Sequence, residues 1–156
     1  MAERKILFPT DFSHTSDAAL ELAVSLARER GATLLIVHVE EPPAAYGEGG
    51  MYYGMADPAT EDLQRMLAAI LPGDSTVPHE HRLIAGDPST AISQLAKEEG
   101  VELIVMGTHG RTGLLRLLMG SVAEAVVRRA PCPVLVYKTM KSQPAESGPS
   151  PNHSVD

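Results

Sequence analysis

Five short apolar runs rich in Ile, Val and Leu, separated by segments of helical periodicity, constrain what this chain can fold into. They are Ile6-Leu7-Phe8, Thr33 to Val39, His81 to Ile84, Glu102 to Met106 and Val134 to Tyr137. Near-continuous apolar character belongs to strands buried on both faces, the condition of a parallel sheet covered by crossover helices. In the first gap, Ala19, Leu22, Ala23 and Leu26 recur at helical spacing behind a polar start from Ser13 to Asp17, and Gly31 supplies a stop. Asp57-Pro58, a capping residue followed by proline, opens a second helix; its stripe is Leu63, Met66, Leu67 and Ile70, and Pro72-Gly73 ends it. Asp87-Pro88 repeats the device for a third helix carrying Ile92 and Leu95 and stopping near Gly100. A fourth spans about Ser121 to Arg129, with Val122, Ala123, Val126 and Val127 expected inward.

The order β-α-β-α-β-α-β-α-β predicts an α/β fold, a doubly wound five-stranded parallel sheet with helices on both faces. One domain is expected over residues 1–138, followed by a polar, disordered tail over 139–156 that has almost nothing to bury. Glu40 to Ala56, with Pro42-Pro43 and several glycines, is long for a connection and reads either as a functional loop or as a solvated insertion.

A length of 156 residues suffices for one ordinary core, and with no Trp and only 4% aromatics that core must be aliphatic. The net charge of −7 argues against broad attraction to nucleic acid or to an anionic membrane, both of which need clustered Lys and Arg. An anionic ligand would therefore need a local positive site. Cys132, the single cysteine, leaves no internal disulfide and no thiolate zinc site, and the prolines on either side of it give no positive charge to activate the thiol. No apolar run approaches the ~20 residues of a spanning helix, and Met1 to Ile6 lacks the features of a signal peptide. The expected location is the cytoplasm.

In open α/β sheets, ligands sit beyond the carboxyl ends of the strands where the strand order reverses, which directs attention to the loops directly after strands, and two of these stand out. After the first strand comes Pro9-Thr10-Asp11-Phe12-Ser13, a carboxylate and two hydroxyls that could also serve as plain helix caps. After the fourth comes Gly107-Thr108-His109-Gly110-Arg111-Thr112-Gly113, and then Gly120-Ser121 opens the last helix. Glycines at three-residue spacing let backbone amides approach an anion, and a helix start adds free N–H groups and the positive end of its dipole. The combination reads as a phosphate cradle, although it is neither a P-loop nor a dinucleotide fingerprint. His109 reads as a polar contact rather than a catalyst, because no partner acid is evident. His79-x-His81 lacks a third metal ligand nearby and reads as two polar residues at a strand's entrance.

The string Gly107-x-x-Gly110-x9-Gly120-Ser121, between Leu103-Ile104-Val105-Met106 and Pro131-Cys132-Pro133-Val134-Leu135-Val136, resembles the ATP-binding branch of the universal stress protein family. Ile6-Leu7-Phe8-Pro9-Thr10-Asp11-Phe12-Ser13 and Gly86-Asp87-Pro88 match the same family, over about Arg4 to Lys138. The resemblance implies strand order 3-2-1-4-5, which brings the two loops together. It also implies Pro9, Thr10 and Asp11 beside the adenosine and phosphates, with Val39 and Met106-Gly107 on either side of the adenine. Gly110, Arg111, Gly113, Gly120, Ser121 and Val122 would approach the phosphates, and His109, read above as a polar contact, is counted with the binding residues on that reading. Val122 stands where many members have Asn, so only its backbone amide is carried over.

The leading expectation is an ATP-binding stress-response regulator that uses Asp11 to hold Mg²⁺ or Mn²⁺ and forms a homodimer through the last strand. Its downstream partner is not legible. The alternatives are a slow ATPase or adenylyl-transferring enzyme, and a binding module for another adenine nucleotide or phosphorylated metabolite.

Overall fold

The structure, a computed structural model, describes residues 2–13, 15–42, 60–108 and 120–138. Five strands form one parallel sheet in the order β3-β2-β1-β4-β5, with β1 at Lys5–Pro9, β2 at Thr33–Glu40, β3 at His79–Ala85, β4 at Leu103–Gly107 and β5 at Val134–Tyr137. The helices α1 (Thr15–Arg30), α2 (Thr60–Ala68), α3 (Pro88–Glu99) and α4 (Ser121–Arg129) alternate with them. The strand order reverses between β1 and β4, since β2 and β3 lie to one side of β1 and β4 and β5 to the other.

The sheet is central because its middle strands have no polar face. Ile6, Phe8, Leu34 and Ile36 pack against α1 and α2, whereas Leu7, Leu35, Val37 and Ile104 pack against α3 and α4. Helix α1 meets the sheet through Ala19, Ala23 and Ala27, spaced four residues apart and fully buried, so a stripe of small side chains seats its backbone close to the strands. Gly31 ends α1 with φ 64, and Ala32 N–H closes the turn on Ala27 O at 2.9 Å. Asp87 caps α3, its Oδ2 accepting from Thr90 N–H at 3.1 Å, with Pro88 in the first turn and Gly100 left-handed at the end.

Three side chains expected inward are not. Met66 on α2 and Val122 and Val127 on α4 are 44%, 38% and 44% exposed, while Leu63, Leu67, Ala123 and Val126 carry the contact. In each helix the exposed positions lie to the side of the buried pair that meets the sheet. The Asp57-Pro58 helix start lies outside the described residues, as does the tail beyond Lys138. The strand containing His79 and His81 begins two residues earlier than expected, with the rings edge-to-face at 5.2 Å and His81 Nε2 donating to Ile70 O at 2.7 Å. His81 thus serves a backbone carbonyl just past α2.

At the amino ends of the strands, far from the reversal point's carboxyl side, Lys5 pairs with Glu99 at 2.7 Å and Arg82 reaches both Glu80 and Glu99. The Lys5 ammonium, first through its hydrogen bond, holds the Glu99 carboxyl below its usual range.

Candidate functional site

A cleft of about 330 Å³ opens over the carboxyl ends of β1, β2 and β4. Strand β1 brings Pro9, Thr10 and Asp11 to its wall, β2 brings His38 and Val39, and β4 brings Met106, Gly107 and Thr108. The starts of α3 and α4 close it with Pro88 and Ile92 on one and Gly120, Ser121, Val122 and Ala123 on the other. Ser16 and Glu41 complete the lining. Of the residues proposed from sequence, Pro9, Thr10, Asp11, Val39, Met106, Gly107, Gly120, Ser121 and Val122 therefore share one cleft, and His109, Gly110, Arg111 and Gly113 lie outside the described residues.

The turn leaving β1 is tightly determined. Thr10 N–H donates to Val37 O at 2.8 Å, which extends the β1–β2 ladder one residue past the strand. Thr10 Oγ1 then accepts from Phe12 N–H at 3.0 Å, and Asp11 Oδ1 accepts from Ser13 N–H at 2.9 Å and Ser16 Oγ–H at 3.2 Å. Phe12 sits at φ 66, the sole non-glycine positive φ among the described residues. Such a conformation costs roughly 1–2 kcal/mol and persists where neighbours enforce it.

The opposite wall is the start of α4. Gly120 precedes the helix and offers no side chain to cap it, while its own N–H donates to Thr108 O at 2.7 Å. Among the described residues, the first-turn N–H groups of Ser121, Val122 and Ala123 thus lack a capping side chain, and all three residues line the cleft. Helix α3, capped by Asp87, shows the contrast. Val122 is exposed because it faces this opening rather than the sheet.

The charged side chains of the described lining are Asp11 and Glu41, both acids. The start of α4 adds the positive end of its helix dipole to this wall. Among the described residues no cluster of three or more His, Cys, Asp or Glu could hold a metal ion unaided. A divalent ion here would take one or two carboxylates and complete its shell with water and ligand oxygens, a habit of Mg²⁺.

Sequence reasoning missed Ser16, His38, Glu41, Pro88, Ile92, Thr108 and Ala123 as cleft residues. His38 gave no signal because it reads as one polar position in an apolar run, and Pro88 was legible only as a helix start. Thr108 was within the glycine stretch and could have been chosen; its hydroxyl is buried without a hydrogen-bond partner among the described residues. Burial pushes the Cys132 thiol up, and the residue packs against the α3–α4 side of the core.

The family model described as the universal stress protein family matches residues 3–138. The chain belongs to that family. Universal stress protein MJ0531 of Methanocaldococcus jannaschii is 34% identical over 144 residues, covering 90% of this chain and 85% of that protein. The solved structure of MJ0577, a universal stress protein of the same organism, superposes with a TM-score of 0.70 at 29% identity, covering 91% of this chain and all of that one. A universal stress protein solved in complex with cAMP is 28% identical with a TM-score of 0.58, over 88% of this chain and 98% of that chain. No helix among the described residues is long and apolar enough to cross a membrane.

Proposed function

We propose that this universal stress protein binds ATP in the strand-end cleft and acts as a nucleotide-dependent regulator in the cytoplasm. The observation that carries it is the uncapped start of α4 facing the Pro9-Thr10-Asp11 turn across one cleft. Free N–H groups and a helix dipole on one side favour phosphate, while Val39, Ile92 and Met106 provide an apolar seat for a base on the other. The binding of cAMP by a relative supports an adenine nucleotide as the class of ligand. In this reading the phosphates lie along residues 120–122, with His109, Gly110, Arg111 and Gly113 contributing from the adjoining loop, and Asp11 holds Mg²⁺ or Mn²⁺ against them.

The same reading makes the protein a homodimer. Strand β5 is at the sheet edge, all four of its residues are half-buried, and no charge occurs before Lys138. An apolar edge is a template for pairing, and a two-fold axis makes the contact between two β5 strands self-complementary.

Denaturing the purified protein and analysing the supernatant by mass spectrometry tests the ligand. ATP, or ADP from it, is expected in stoichiometric yield; release of a non-adenine metabolite instead would overturn the assignment.

A further inference from the structure

We propose that His38 is a positioning residue for the cleft: its imidazole clamps the strained turn over residues 10–13 and so sets where the Asp11 carboxylate stands. His38 lies on β2, which is paired on both sides, so its backbone is a fixed reference. The side chain is 5% exposed, and Nδ1 stands 2.8 Å from Thr10 O. A carbonyl only accepts, so Nδ1 carries the proton and donates. The same ring packs on Phe12, with centroids 4.3 Å apart and planes tilted by 38°.

These two contacts grip the turn on either side of Asp11. Thr10 is held through its carbonyl by His38 and through its N–H by Val37 O, and Phe12 is held through its ring by His38 and through its N–H by Thr10 Oγ1. Phe12 has the left-handed φ of 66 that a non-glycine residue keeps only under such constraint. Asp11 lies between the two gripped residues, and its Oδ1 is oriented by Ser13 N–H and Ser16 Oγ–H, groups that follow the turn. Release of the imidazole would let Phe12 relax toward negative φ. That rotation carries the peptide joining residues 11 and 12 with it, and the carboxylate moves off its place in the wall.

The inference rests on the nucleotide reading for one of its two readouts. Three variants separate the roles: His38→Leu fills comparable space without a donor, His38→Asn restores a donor near the Nδ1 position, and Phe12→Leu removes the stacked ring while leaving His38 intact. In ligand-free protein, amide exchange of Phe12 and Ser13 is measured against the amides of β2. His38→Leu and Phe12→Leu should speed it severalfold relative to that standard, and His38→Asn should return it toward wild type. Affinity for Mg·ATP should fall roughly three- to tenfold in the first two, the equivalent of one hydrogen bond, and recover in His38→Asn. Unchanged relative exchange in His38→Leu and Phe12→Leu, or His38→Asn behaving as His38→Leu does, would overturn the clamp. Should His38→Leu not fold, Phe12→Leu decides. Should wild type bind no ATP, the nucleotide reading fails, and amide exchange still judges the clamp.

Discussion

Asp11 combines a structural and a proposed functional role in one carboxylate. Oδ1 is committed to Ser13 and Ser16, the pattern of a helix-approach turn, and the residue also lines the cleft. A cap alone would give the same two bonds, so the distinguishing property is dependence on a divalent ion. Chelation should weaken ATP binding to wild type, because an unscreened carboxylate repels the phosphates. Asp11→Asn keeps an oxygen for Ser13 and removes the charge; titration calorimetry with and without chelator should find most of the metal dependence gone. An unchanged response to chelator would leave Asp11 a cap. At this scale the sequence was legible where local chemistry and position coincide: Pro9-Thr10-Asp11 ends a strand, and Gly120-Ser121 begins a helix. It was illegible for His38, whose partners are a carbonyl 28 residues away and a ring at Phe12. Neither contact leaves a trace in spacing.

At the scale of elements, all five strands and the faces of the longer helices were readable from periodicity, since a pattern repeated over several turns averages out single exceptions. The nine-residue helices α2 and α4 offered too few repeats to separate core from rim, hence the misplaced Met66, Val122 and Val127. The link from α2 to β3 is pinned by a group that propensity does not reveal. Asp74 Oδ1 accepts from Thr76 Oγ1–H at 2.6 Å and N–H at 2.9 Å, and its Oδ2 accepts from Arg28 on α1 at 3.0 Å. The Thr76 hydroxyl, then the Thr76 amide, then Arg28 hold its carboxyl down to about 2, from an ordinary 3.8. A carboxyl lowered in the folded state stabilises fully above its unfolded value, and loses that contribution as pH falls through the folded one. Asp74→Asn should therefore be less stable than wild type near neutrality and should converge with it between about pH 4 and about pH 2. Urea midpoints across that range check this; a gap that stays constant down to the acid end would contradict it.

For the whole molecule, the order β3-β2-β1-β4-β5 is what turns separate motifs into a cleft, because it sets the ends of β1 and β4 side by side. Composition alone restricts the fold to a class; it was the match of paired motifs to a family that specified the order. The same order leaves β5 at an edge. Val136→Lys adds charge at the proposed seam and keeps the backbone donor, so sedimentation should move from about twice the chain mass in wild type toward the mass of one chain. A wild-type monomer at micromolar concentration would contradict the dimer.

The central claim is that ATP occupies the cleft against the start of α4, and thermal unfolding of wild type beside Ser121→Glu tests it most directly. Ser121 is exposed and is the first residue of α4. A glutamate there suits the helix dipole, so the variant should fold at least as well, yet its carboxylate stands where phosphate is proposed to lie. ATP with Mg²⁺ at one hundred times its dissociation constant adds ~2.7 kcal/mol, and each kcal/mol moves a domain of this size by ~2–4 °C. Wild type should rise by roughly 5–10 °C and Ser121→Glu by little. No rise in wild type, or an equal rise in Ser121→Glu, would contradict the account.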